Sequence, residues 1–126
     1  MLKWLRSVVQ RRKMLPVAEW FHVRSDEITV HLDVSPPTGE SWRASFEWSS
    51  IRRVCFKAQD MWVSDGIYVF TSQRPESYVI PIEADGGDGF WKELVSRDLF
   101  DADLATKAMH ASEGLYCWPE EKDAHT

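Results

Sequence analysis

The residues most able to do chemistry are a few histidines, cysteines and carboxylates. His22 and His31 fall on two short alternating runs separated by Ser25-Asp26-Glu27, a turn by composition. If those runs pair as a hairpin, the imidazoles come within one or two rungs of each other, with Asp33 on the His31 face. That is a conceivable divalent-metal ligand set. Exposed or hydrogen-bonded strand histidines are the simpler reading, and no metal or cofactor is assigned. Cys55 and Cys117 are the only cysteines and have no CxxC or metal-ligand spacing. Both are expected as free thiols in a reducing compartment. Gly86-Gly87-Asp88-Gly89 precedes a helical pattern, as a phosphate loop would. It lacks the Lys and Ser/Thr of a P-loop, and Asp85 and Asp88 bring negative charge. It reads as a flexible strand-to-helix link. Catalytic residues are not assigned, and the chain is expected not to be an enzyme.

Charge divides the chain. Residues 1–16 hold five basic side chains and no acid, which leaves ten basic and twenty acidic residues for the remainder. The acidic body disfavours nonspecific nucleic-acid binding, which relies on phosphate neutralisation. As a helix, the first segment gathers Leu2, Trp4, Leu5, Val8 and Val9 on one side, and Lys3, Arg6, Gln10 and Arg11 largely on the other. Arg12 and Lys13 extend its basic end and Pro16 stops it. The contact residues expected there are Lys3, Trp4, Leu5, Arg6, Arg11, Arg12 and Lys13, facing a partner or an anionic membrane surface. A helix docked on the body and a targeting peptide are the competing readings.

The elements that would position the chemistry come next. From Val17 to Ile82 the apolar period is mostly two. Ile28, Val30, Leu32 and Val34 point inward, as do Trp42, Ala44, Phe46 and Trp48, and then Ile51, Val54, Phe56 and Ala58. Further strands are expected over Ile67–Thr71 and Ser77–Ile82, joined by a 72–76 loop. A helix is expected from about Gly89 to Arg97 with Asp88 as N-cap, and a second from about Asp101 ending at Gly114. Residues 113–126 read as a loosely held acidic tail pinned by Tyr116 and Trp118. The fold class is α+β: a small antiparallel barrel or sandwich of six or seven strands over residues 17–112, capped by a C-terminal helix and preceded by the amphipathic helix.

Phe46-Glu47-Trp48-Ser49-Ser50-Ile51-Arg52-Arg53-Val54 resembles a pattern in bacterial pleckstrin-homology-like domains, where a strand ends in Trp and Ile and Val open the next. Asp65-Gly66-Ile67-Tyr68-Val69-Phe70 is similar to their hairpin. The resemblance spans about Val17 to Leu99 and implies a binding scaffold. It does not carry phosphoinositide recognition here, because the first loop holds Asp26 and Glu27 in place of basic residues. The function expected is a non-enzymatic cytoplasmic binding or scaffold module with a protein partner, held near a membrane by its arm. The alternatives are an acidic inhibitor or immunity-type protein for a basic partner, and an enzyme whose site the sequence does not display.

The charge split generates a first test. Each basic residue near an anionic surface contributes about 1 kcal/mol, so lipid affinity should reside in residues 1–16. Liposome co-sedimentation should show salt-sensitive binding to phosphatidylserine vesicles that disappears when 1–16 is deleted. Sedimentation of the truncated chain would place lipid recognition in the body.

Overall fold

The computed structural model describes residues 16–60 and 64–120. The expected N-terminal helix and its contact residues lie outside them. A 3-10 turn at Val17–Glu19 leads into β1 (Phe21–Ser25), β2 (Thr29–Val34) and β3 (Trp42–Glu47). These form a three-stranded antiparallel sheet in the order β1-β2-β3. A second 3-10 turn, Trp48–Ser50, delivers the chain to β4 (Ile51–Asp60), β5 (Ser64–Thr71) and β6 (Arg74–Pro81). Helices α1 (Gly87–Ser96) and α2 (Ala102–His110) follow, and then β7 (Gly114–Trp118). The second sheet runs β6-β5-β4-β7, all antiparallel. The molecule is therefore α+β with two separate sheets, and not a closed barrel.

Alternation explains the division of faces. Phe21, Val23, Val30, Leu32, Val34 and Phe46 are buried on the inner face of the first sheet. Val54, Phe56, Ala58, Ile67, Val69 and Ile80 are buried on the inner face of the second. Aromatic rings join the layers. Phe46 stacks on Tyr78 at 4.6 Å between centroids, Trp48 stacks on Phe90 at 5.5 Å, and Trp91 lies 4.8 Å from both Phe56 and Phe100. Such ring pairs add to simple area burial. Helix α1 turns Phe90, Trp91 and Leu94 into this core. Asp101 caps α2 as its sequence position suggests, its side chain accepting from the Leu104 N–H at 2.9 Å.

Several expectations are corrected. Trp42 is 44 % exposed and Ile28 is 65 % exposed, although both fit an inward alternation. Ile28 lies in the β1–β2 turn, and Trp42 stands on the edge strand β3, edge-on to Phe21 at 6.1 Å on the rung of the buried Val34, with no further strand beside it to cover its outer side. The 72–76 loop contracts to a turn at Ser72-Gln73, because β6 already begins at Arg74. The N-cap of α1 is Gly86 at φ 84°, not Asp88. Helix α2 ends at His110, before Gly114. The start of the expected tail is β7, paired along β4 from Val54↔Trp118 to Ala58↔Gly114, with Tyr116 and Trp118 packed against the core.

The cysteines are corrected too. Cys55 and Cys117 are directly opposite in the β4–β7 ladder and are joined by a disulfide across a sequence separation of 62. No free cysteine remains, and the argument for a reducing compartment that rested on free thiols falls with them. In the chain-entropy account, closing a loop of that length contributes about 4 kcal/mol.

Trp42 and Trp48, both inward by alternation, separate surface from core. Trp48 is buried and donates its Nε1–H to the Asp26 carbonyl at 2.9 Å. Trp48→Ala should lower unfolding stability by about 3–5 kcal/mol, and Trp42→Ala by less than about 1 kcal/mol. Urea denaturation of both variants checks this ordering; equal losses would contradict the assignment.

Candidate functional site

The outer face of the three-stranded sheet carries the polar half of the same alternation. Two rows cross all three strands in direct register. One is His22↔Asp33↔Arg43 and the other is Arg24↔His31↔Ser45. These six side chains, with Leu32 and Ala44, line an open groove of about 510 Å3. Adjacent strands lie about 4.8 Å apart, so each row spans about 10 Å.

Each acidic group around the groove has a partner. Asp33 Oδ2 lies 3.7 Å from Arg43 Nε. Asp85 Oδ2 lies 2.9 Å from His22 Nδ1. A carboxylate only accepts, so Nδ1 carries the proton in this bond, and in the neutral ring Nε2 is left as an acceptor. Asp26 Oδ1 accepts the backbone N–H groups of Ile28 and Thr29, both at 2.8 Å, and Asp26 Oδ2 is 3.9 Å from His31 Nε2. In contrast, the Arg24 guanidinium and the Ser45 hydroxyl make no hydrogen bond or ion pair among the described residues. The second row is thus a line of guanidinium, imidazole and hydroxyl with donors to offer.

Asp85 reaches His22 through a close backbone approach. The Val23 N–H donates to the Asp85 carbonyl at 2.8 Å, and the Asp85 N–H donates to the Phe21 carbonyl at 2.9 Å. A Cβ at Gly86 would run into the Val23 carbonyl oxygen, and one at Gly87 would lie 2.6 Å from the Ile82 carbonyl oxygen. The glycine cluster is therefore a fitted turn against β1, where the sequence suggested a flexible link.

His22 and His31 do share one face, as the hairpin register required. His22 faces Asp33 and His31 faces Arg24, and no group of metal-ligating side chains that could hold an ion occurs among the described residues. His110, at the end of α2, bonds the Thr106 carbonyl at 2.8 Å and does not line the groove. Alternation had already placed His31 and Asp33, and Arg43 and Ser45, outward. Asp85 carried no signal, because it lies 63 residues from His22. A second hollow, of about 450 Å3, is lined by Glu27, Ile28, Trp48, Ser49, Arg97 and Leu99. Its cation is committed: Arg97 bonds Glu93 Oε2 at 2.8 Å and lies 4.3 Å over the Trp48 ring.

No family model, curated protein or solved structure matches this chain. No helix among the described residues is long and apolar enough to cross a membrane.

The Asp26 carboxyl is held below its ordinary value of 3.8, first by the Thr29 N–H and then by the Ile28 N–H, with a smaller contribution from His31. A depressed folded-state value means that the stabilisation is present above the ordinary carboxylate range. It is lost as pH falls through the lowered value. An NMR titration of the Asp26 side chain should give a midpoint below 3.8. Asp26→Asn should remove that part of the acid dependence of unfolding, and a midpoint at or above 3.8 would contradict the turn's role.

Proposed function

We propose that this chain is a non-enzymatic binding module that takes an oxyanion-bearing ligand in the groove across β1, β2 and β3. The observation that carries this reading is Arg24, a cation without a counter-charge among the described residues, in line with His31 and Ser45. On a chain of net charge −5, an unpaired guanidinium beside donor groups favours one negative group at one place. Arg24 supplies a forked pair of N–H donors, His31 a ring N–H, and Ser45 a hydroxyl that donates or accepts. His31 is itself 3.9 Å from Asp26, so Arg24 is the cation of the row without an ion pair, and Arg43 and His22, paired with Asp33 and Asp85, border the bound group. The inward half of the sheet is packed into the core, so the donors stand on a rigid platform.

A pleckstrin-homology-like scaffold is part of the same reading. Its support is the order of hairpins followed by a helix packed into the core, with the Trp48-to-Val54 segment linking the two sheets. The departures are the gap between the sheets and the further strand β7. In this arrangement the ligand contacts lie on the open sheet face, with Asp26 of the β1–β2 turn 3.9 Å from His31 at one border.

Calorimetric titration of the full chain with inorganic phosphate, and separately with acetate, tests the proposal. Phosphate should bind more tightly, because it engages more of the three donors. Arg24→Ala should weaken that binding by about tenfold or more, from loss of a charge-assisted hydrogen bond worth about 1.5–3 kcal/mol. Phosphate affinity that is unmeasurable, or unchanged in Arg24→Ala, would overturn the reading.

A further inference from the structure

We propose that the Cys55–Cys117 disulfide is a thiol-exchangeable latch that fastens the edge strand β7, and that it opens without unfolding of the core. The bond lies on the outer face of the four-stranded sheet, because Val54, Phe56 and Ala58 take the inward positions of β4. Cys55 forms part of a shallow hollow of about 240 Å3 together with Lys57, Tyr68, Phe70 and Leu115. Access to the bond comes from the other sulfur: Cys117 is half-buried on the edge strand β7, where a small thiol can approach from solvent, whereas a disulfide buried within a core is reached only after unfolding.

The two sulfurs differ in setting. Cys55 is 5 % exposed, while Cys117 is half-buried on the edge strand. An incoming monothiolate of the glutathione class attacks Cys117 Sγ. The Cys55–Cys117 bond breaks and its electron pair leaves with Cys55 as a thiolate. That thiolate forms in the hollow that Lys57, two residues along the same face of β4, also lines, and a nearby cation favours it. The product is a mixed disulfide on Cys117. A second thiolate attacks the small-molecule sulfur of that mixed disulfide, releasing the oxidised thiol and leaving Cys117 as a thiol. Two thiols are oxidised and one protein disulfide is reduced.

The consequence is local. β7 is the terminal strand of its sheet, is five residues long, and has its whole ladder on β4. Detachment of β7 withdraws Tyr116 and Trp118 from the margin of the core but leaves the three-stranded sheet and the β4–β5–β6 ladder paired. Strands of this kind open in sub-global units. This inference is independent of the groove on the opposite sheet.

The test is reduction of the full chain by glutathione under native conditions, with thiols trapped by alkylation and followed by mass spectrometry. The rate should rise with thiol concentration and exceed the global unfolding rate, followed by tryptophan fluorescence, by about tenfold or more. The mixed disulfide should map to Cys117, and Lys57→Gln should slow the first step several-fold. Hydrogen exchange of the reduced chain should show lost protection at 114–118 and at those amides of 54–58 that bond β7, with retained protection at 30–34 and at the β4 amides that bond β5. Reduction at the unfolding rate and independent of thiol concentration would overturn the proposal. So would protection lost throughout the chain on reduction, or two thiols already alkylated in the air-oxidised protein.

Discussion

The structure depends on burying one face of a three-stranded sheet that has no other cover. A small sheet with one apolar face is stable only when that face is buried. Phe46 at the end of β3 provides the junction, stacked on Tyr78 of the second sheet and edge-on to Phe90 of α1 at 6.3 Å. Trp48 follows two residues later, buried against Phe90 with Arg97 over its ring. These contacts hold the inner face dry, and the period of two then obliges His22, Arg24, His31, Asp33, Arg43 and Ser45 to stand on the outer one. The groove is the other side of the core. A substitution that loosens Phe46 therefore disturbs the platform without touching its polar residues.

A second constraint ties the helices to that platform. Gly86 and Gly87 let the chain pass directly against the β1 carbonyls and the Ile82 carbonyl before α1 begins. The same approach sets Asp85 beside His22. A side chain at Gly86 would push the α1 entry away from β1 and separate this pair. The pair thus belongs to a structural turn and a surface site at once.

Much of the platform was legible in the sequence, since alternation in β2 and β3 assigns Asp33, Arg43 and Ser45 to the face opposite Leu32 and Phe46. The short turn at Asp26 was legible for the same reason, and it brings His22 and His31 to one hairpin. The contribution of Arg24 was not legible, because a lone cation on a strand means little until its lack of a counter-charge in the fold is known. Asp85 and the disulfide depend on contacts between residues more than sixty positions apart, which no local pattern encodes. Trp42 misled for a different reason. Alternation reports which way a side chain points, and leaves open whether its strand stands at the edge of the sheet, as β3 does. The cysteines were misread through spacing, because β7 was hidden in a polar stretch with only Leu115, Tyr116 and Trp118 to mark it.

The ligand we propose would sit on the outward face of β1–β3. Amide chemical-shift mapping of the isotopically labelled full chain, titrated with inorganic phosphate, tests this placement most directly. Shifts should concentrate at residues 22–24, 31–33 and 43–45, with the amides of β4 to β7 unmoved. Shifts centred instead on the surface around Lys57, Lys92 or Lys107, or none at saturating phosphate, would contradict it.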